Sequence, residues 1–268
     1  MRLDVLDLRK NVSICNFEFV FLADLKKLFS CSYLFEVIDY IQHPSNVVIN
    51  NIYVYNQQNW GGGGITGTSP LGKTPEERFS RVCNVGEGIT GEWESRLLSA
   101  VDYFATTPLY SDLYSILATR TAMITFKVDP FIGTPARYDG ETNTISFCTV
   151  IDIIDYKTNE ELVHAAQKVM YGNAMTNKIK NYEFEAKVIQ DIVTARFELN
   201  SYKGNYLLSE HFKTDYAKFV ELFVTKKEIN EKDLQTYFKL LSDWPNQEYK
   251  GEVKLSVLPL LLMTCIGF

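Results

Sequence analysis

Four consecutive glycines, Gly61 to Gly64, interrupt the chain in the stretch QQNWGGGGITGTSPLGKTPEE. Glycine has no side chain to restrict the backbone, and the threonine, serine and proline that follow show no helical or strand pattern. We therefore expect no helix or strand to cross this stretch. The sequence predicts three parts: a small N-terminal unit of unknown role at residues 1–60, a glycine-rich linker at 61–75 and a domain at 76–268.

The composition is that of an ordinary globular protein and argues against several classes of function. The chain has 268 residues, of which 46% are hydrophobic, so it can bury one substantial core. Its 33 acidic residues exceed its 27 basic ones, and no block of lysine or arginine is longer than a pair, so we expect no nucleic-acid partner. The glycine run is not followed by the Lys-Ser or Lys-Thr of a phosphate loop.

The cysteines and the two ends of the chain carry little functional signal. The five cysteines are scattered and show no C-x-x-C spacing, which argues against a disulfide framework or a cysteine metal site. Charged residues break up the first thirty residues, which therefore make a poor signal peptide. The C-terminal LSVLPLLLMTCIGF is too short to cross a bilayer and contains Pro259, so we expect no transmembrane segment and a buried strand or extended segment at this end.

The region after the linker predicts an α+β fold. Thr74 is followed by Pro75 and two glutamates, a typical start of a helix. The alternation in AMITFKVD predicts a strand, and ARYDGETNTISFCTVI predicts two strands joined at Asp139-Gly140. Further helices are predicted near residues 92–104, 111–119, 159–171, 182–198, 210–224 and 231–242. The C-terminal half is thus mostly helical.

One of the predicted helices, TNEELVHAAQKVMYG, contains a candidate metal-binding pair. Residues four apart lie on the same face of a helix, so Glu160 and His164 project together. In the H-E-x-x-H motif two histidines at this spacing bind zinc and the glutamate between them acts as general base. Here Glu161 and His164 match the motif, but Glu160 stands in place of the first histidine.

The same helix has a simpler interpretation as a solvated amphipathic helix. Its apolar side chains would then pack inward: Leu162, Val163 and Ala166. Its polar ones would face water: Glu160, Glu161, Gln167 and Lys168. Both interpretations remain open at this point.

A third ligand is expected from the next helix, NYEFEAKVIQDI, which would fold back antiparallel on the first. Glu183 and Glu185 are two residues apart, so only one of them can point at a given site. We favour Glu185 because it begins a face with the small residues that close helix packing requires, Ala186 and Ile189. The other histidines, His43 and His211, show no spacing that would make them ligands.

Residues 74–191 resemble the zincin-like metallopeptidases, in particular the gluzincin-type pattern of H-E-x-x-H-A followed by a helix with E-A. They are most similar to degenerate members from gut Bacteroidetes, in which an E-E-L-x-H-A-x-Q helix precedes an E-F-E-A-K helix. The matching residues are Glu161, His164, Ala165, Gln167, Glu185 and Ala186. The resemblance implies a small antiparallel or mixed sheet with an edge hairpin packed on an active-site helix.

The resemblance also implies a function, namely that of a metal-dependent peptidase. Its metal ligands would be Glu160, His164 and Glu185, with Glu161 as general base, zinc or another divalent ion as cofactor, and a peptide or protein as substrate. An edge strand beside the metal helix could pair with an extended peptide. The default location is the cytoplasm, while the resemblance leaves the cell envelope and secretion open.

The glutamate at position 160 opens an alternative. Two carboxylates and one imidazole form a harder, more anionic set than two imidazoles, so manganese, iron or calcium could replace zinc. The alternative is a catalytically inactive binding or structural protein of the zincin fold, with or without metal. A further alternative is an intracellular effector or immunity-type interaction protein that attaches to a larger assembly through its N-terminal unit.

Overall fold

The computed structural model describes residues 74–120, 122–175, 179–197, 210–244 and 251–267. All of them belong to one unit of the chain, Ile65–Phe268. The predictions for the N-terminal unit at 1–60, for His43 and for most of the linker at 61–75 fall outside the described residues. The side chain of His211 does so as well.

The described residues form the predicted α+β fold, with eight α-helices and four strands. The short strand at Cys83–Val85 and the helix at Leu260–Ile266 were not predicted from the sequence. The first half contains α1 (Pro75–Val82), β1 (Cys83–Val85), α2 (Glu92–Thr106), α3 (Tyr110–Ala118), β2 (Ile124–Val128), β3 (Ala136–Asp139) and β4 (Thr144–Phe147). The second half contains α4 (Asp155–Tyr171), α5 (Lys180–Phe197), α6 (Glu210–Thr225), α7 (Glu231–Asp243) and α8 (Leu260–Ile266).

The four strands form one small mixed sheet in the order β1-β2-β4-β3. The pairs β1–β2 and β2–β4 are parallel, and β3 runs antiparallel to β4 with Tyr138 opposite Ile145. The hairpin predicted at Asp139-Gly140 is confirmed: the Asp139 carboxylate accepts a 2.9 Å hydrogen bond from the Glu141 amide and closes the turn. β3 is therefore an edge strand, and it packs against α4.

The predicted start of α1 is confirmed by its capping geometry. The Thr74 hydroxyl accepts a hydrogen bond from the Glu77 amide at 3.2 Å, and the Glu77 carboxylate accepts one from the Thr74 amide at 3.3 Å. This reciprocal arrangement satisfies two of the amides that a helix leaves unbonded at its start. Pro75 follows at the first helical position, where no amide donor is needed.

Helix α4 is the centre of the described fold. It packs against α2, α3, α5 and β3, and its middle residues are buried. It begins at Asp155, one turn before the predicted start near residue 159, which adds Tyr156 to the helix. No helix in the described ranges is long and apolar enough to span a bilayer.

The C-terminal segment is helical, so the prediction of a strand or extended segment there is wrong. Pro259 directly precedes α8, a position where its missing amide hydrogen costs nothing. The following leucines and methionine are good helix formers. Leu261, Leu262 and Ile266 of this helix are buried.

Two aromatic clusters mark the core. Beside the sheet, the ring of Phe126 stacks with those of Phe79 and Phe147 at centroid distances of 6.2 and 6.1 Å. In the helical half, the ring of Phe184 on α5 lies 5.1 Å from that of Tyr237 and 5.2 Å from that of Trp244. The helices α5, α6 and α7 pack against one another around this second cluster.

Candidate metal centre

The antiparallel pair of α4 and α5 builds the candidate site. At one end of the pair, the side-chain amide of Gln190 donates to the main-chain carbonyl of Tyr156 at 2.7 Å. At the other end, the side-chain amide of Gln167 donates to the carbonyl of Tyr182 at 2.8 Å. The expected antiparallel return of the second helix is therefore confirmed, and His164 faces the first turns of α5.

Three side chains in the described part of the chain could hold a metal ion: Glu160, His164 and Glu183. Their ligand atoms all lie within 4.8 Å of one another. The Nε2 of His164 is already 3.3 Å from the Oε2 of Glu183, close to the separation of about 3.4 Å between two ligands of a tetrahedral ion with bonds of about 2.1 Å. Small side-chain movements would therefore bring all three ligand atoms to bonding distance.

The position of the third ligand differs from the sequence prediction. The structure brings Glu183 to His164, whereas Glu185, which the sequence favoured, lies on another side of α5. The small residues beside Glu185 made it a good candidate for close helix packing, but packing buries its carboxylate instead of aiming it at the imidazole. The position on the helix decides which glutamate faces His164, because side chains two residues apart point in directions about 160° apart.

The carboxylate of Glu185 is buried and fully occupied by hydrogen bonds. It accepts hydrogen bonds from the Gln167 side-chain amide at 2.9 Å and from the Tyr171 hydroxyl at 2.9 Å. The main-chain amides of Leu261 and Leu262 donate to its Oε1 at 2.9 and 3.2 Å. Glu185 thus satisfies the first amides of α8, which have no partners within their own helix.

His164 is oriented by a neighbour on its own helix. Its Nδ1 lies 2.8 Å from the side-chain oxygen of Gln167. The amide nitrogen of Gln167 already donates to Tyr182 and to Glu185, so the oxygen must be the atom that faces the imidazole. Nδ1 therefore carries a hydrogen, and Nε2 is the nitrogen turned toward Glu183.

The electrostatics of the site favour a cation. Burial opposes a charge on His164, but the carboxylates of Glu183, Glu161 and Glu160 outweigh it and raise the pKa of the imidazole to about 10. Burial would also raise the pKa of Glu183, but attraction to His164 and their hydrogen bond lower it. Burial raises the pKa of Glu160 above its ordinary value. In the metal-free protein at neutral pH, a proton on Nε2 occupies the place where an ion would bind.

A buried lysine lies on the same face of α5 and is absent from the sequence predictions. The Lys187 ammonium donates to the Tyr156 hydroxyl at 2.5 Å and lies 3.2 Å from the Asp191 carboxylate. Asp191 also accepts a hydrogen bond from the Tyr216 hydroxyl at 2.7 Å. A sequence signal for these residues exists: Glu183, Lys187 and Asp191 are spaced four apart and therefore lie on one face of α5.

The proposed general base, Glu161, is turned toward the sheet. Its Oε2 accepts a 2.5 Å hydrogen bond from the main-chain amide of Tyr138 in β3. The amide of Cys148 donates to the carbonyl of Pro135, so odd-numbered residues of β3 bond to β4 and the Tyr138 amide points away from β4, toward α4. Burial raises the pKa of Glu161 to about 7. Glu161 therefore joins α4 to the side of β3 that pairs with no strand in the described residues.

The interpretation of α4 as a solvated amphipathic helix is wrong for two of its polar residues. Glu161 is 9% exposed and Gln167 is 0% exposed, although both were expected to face water. Each has a specific hydrogen-bond partner on another element. Glu160 and Lys168 are partly exposed, so the polar face of α4 is internal at Glu161 and Gln167 and reaches solvent at the other two positions.

Comparison with known proteins gives no relative: no family model, no curated protein and no solved structure matches this chain.

Proposed function

We propose that this protein binds a divalent metal ion through Glu160, His164 and Glu183 and that it uses the ion to hydrolyse peptide bonds. The observation that carries the proposal is the convergence of these three ligand atoms within 4.8 Å on two packed helices. The resemblance to zincin-like metallopeptidases supports the second half of the proposal and gives Glu161 the role of general base. The zincin-like character of the fold is part of the same proposal.

In the proposed hydrolysis, the ion and the chain would supply different chemical groups. A divalent ion in such a site polarises a carbonyl oxygen and makes water a better nucleophile. The chain provides Glu161, whose pKa of about 7 suits proton transfer near neutral pH. The two half-buried glutamates leave the ligand group accessible from solvent, so a substrate can reach it.

The edge of β3 that pairs with no other strand is the proposed place for the substrate. The amide of Tyr138 faces this edge beside Glu161. An extended peptide that pairs with β3 would run past the ligand group and could take over this amide as donor. Glu161 would then be released to act on a water molecule.

Metal binding by the full-length protein is the first test. The affinities for Mn²⁺ and Zn²⁺ would be measured by calorimetry for wild type, for Glu183→Gln and for Asp233→Asn. Asp233 is a matched control because it is a buried carboxylate on α7 that caps its own helix. We expect one ion per wild-type chain, at least a hundredfold weaker binding for Glu183→Gln and little change for the control. Equal affinities of wild type and Glu183→Gln would contradict the proposed site.

Cleavage is the second test. Metal-loaded wild type and Glu161→Gln would be incubated with a mixed peptide library and the products read by mass spectrometry. We expect wild type to cleave and Glu161→Gln to bind metal without cleaving. Cleavage by Glu161→Gln at the wild-type rate would contradict the role of Glu161.

A second candidate function is a non-catalytic binding or structural protein. One observation favours it: Glu183 pairs with His164 and Glu161 accepts from the Tyr138 amide, so each of these acids has a partner within the chain. Metal binding without cleavage in the two tests would support this candidate.

A further inference from the structure

We infer that Gln167 and Glu185 are positioning residues of the metal centre and that the first turn of α8 fixes their orientation. This inference rests on the proposed metal binding by His164, which it deepens. Neither residue touches the ion in this scheme. Both act through the ring of His164.

Gln167 determines which nitrogen of the imidazole is available. Its side-chain oxygen accepts from Nδ1 of His164 at 2.8 Å. This leaves Nε2 as the nitrogen that faces Glu183, 3.3 Å away. A metal-binding histidine generally has its other ring nitrogen held by such an acceptor, which fixes both the ring orientation and the position of the hydrogen.

Glu185 determines which way the Gln167 amide points. An amide group can turn over and exchange its oxygen and nitrogen with almost no change of shape. Here the nitrogen must face two acceptors, the carbonyl of Tyr182 at 2.8 Å and the carboxylate of Glu185 at 2.9 Å. Since neither acceptor can bond to an oxygen, the amide is locked with its oxygen toward His164.

The C-terminal helix in turn holds Glu185. The amides of Leu261 and Leu262 donate to one carboxylate oxygen. The Tyr171 hydroxyl bonds to the carboxylate and also accepts from the amide of Leu260 at 2.7 Å. The metal-binding ring is therefore connected to α8 through two side chains, both almost fully buried.

The variant Glu185→Gln tests this chain of hydrogen bonds with almost no change of volume. The new amide must keep its oxygen on the two backbone amides of α8, so its nitrogen faces the nitrogen of Gln167. Two donors then oppose each other, and Gln167 no longer holds its oxygen on Nδ1. We expect the affinity for Mn²⁺ to fall about 10- to 100-fold, the usual effect of losing an outer partner of a metal ligand.

A matched control separates positioning from general destabilisation. Asp233→Asn makes the same carboxylate-to-amide change at a buried acid on α7 that accepts from the Asn230 amide and lies outside the chain of hydrogen bonds to His164. We expect both variants to lower the free energy of unfolding, and only Glu185→Gln to lower the affinity for Mn²⁺. A purely structural role for Glu185 predicts affinity losses of equal size in the two variants, and that result would overturn the inference.

A readout without metal separates this inference from the proposed function. In a His43→Gln, His211→Gln background, His164 is the remaining histidine of the chain. We expect its Nδ1 proton to exchange slowly in NMR spectra of the metal-free protein, to lose this protection in Glu185→Gln and to keep it in Asp233→Asn. An unchanged Nδ1 signal in Glu185→Gln overturns the positioning role, whereas a wild-type protein that binds no metal overturns the proposed function.

Discussion

The two sides of α5 are packed by different kinds of interaction. Toward α6 and α7 the helix presents Phe184, whose ring packs against Tyr216, Tyr237 and Trp244 at centroid distances of 5.1 to 6.0 Å. Toward α4 it presents polar side chains that bond individually to partners on that helix. On the apolar side, shape and volume determine the fit, whereas on the polar side each atom requires a specific partner.

On α5, adjacent residues thus serve different purposes: one belongs to the candidate site, and the next one packs in the core and stabilises the fold. Glu183 faces the imidazole and remains partly exposed, with 28% of its side chain accessible. Phe184 is the next residue and is fully buried. Substitutions on the two sides should therefore have separable effects on the free energy of unfolding and on metal affinity.

The largest effect is expected on the apolar side. Phe184→Ala removes a fully buried ring and should lower the free energy of unfolding by about 3–5 kcal/mol. Urea denaturation would measure it. The matched control is Phe197→Ala at the end of the same helix, where the residue is 41% exposed and the expected loss is only about 1–1.5 kcal/mol. Equal losses in the two variants would break the comparison.

The next effect is the pH dependence of metal binding on the polar side. The pKa of His164 is raised to about 10 in the metal-free protein, so an ion must displace a proton from Nε2 at neutral pH. The affinity for Mn²⁺ should therefore rise about tenfold per pH unit between pH 7 and 9, with about one proton released. Calorimetry in buffers of different ionisation enthalpy would count the protons. Binding that is independent of pH would show that His164 is not a ligand.

A smaller effect is expected when Glu160 is replaced by histidine. Glu160→His exchanges a charged ligand for an imidazole and should favour Zn²⁺ over Mn²⁺, with a gain on the order of tenfold in relative affinity. Competition between the two ions would measure this preference. The variant Glu160→Gln removes the charge without adding an imidazole and should weaken both ions. Unchanged preference in Glu160→His would exclude this position from the ligand set.

The smallest effect is expected at Tyr216 of α6, whose hydroxyl bonds to Asp191 on the polar side of α5. Tyr216→Phe removes the hydroxyl that donates to Asp191 at 2.7 Å but keeps the aromatic ring. We expect a loss of about 1 kcal/mol in the free energy of unfolding and no resolved change in metal affinity. A large loss of affinity would show that the ion pair of Lys187 and Asp191 belongs to the metal centre.

Much of this fold follows from local signals in the sequence. Thr74 and Pro75 start α1 as predicted, and the Asp139-Gly140 dipeptide closes the hairpin. These features depend on residues close together in the chain. The C-terminal segment was mispredicted because an apolar run cannot distinguish a short buried helix from a strand.

The candidate site could be predicted only in part. The spacing of Glu160 and His164 placed both on one face of α4, since that relation is internal to one helix. The choice between Glu183 and Glu185 depends on the rotation of α5 about its own axis. That rotation is determined by distant partners, such as the amides of Leu261 and Leu262, which no local pattern contains.

The hydrogen bonds between Glu185 and α8 also bear on the order in which the protein folds. They join residues 76 and 77 positions apart in the chain, and closing so long a loop is entropically costly and slow compared with forming a helix. The pair α4–α5 can meet earlier, because its contacts span a short connection. We therefore expect the imidazole to acquire its final orientation late, after the last helix has docked, so that a chain arrested before that step would contain the candidate ligands without the geometry that aligns them.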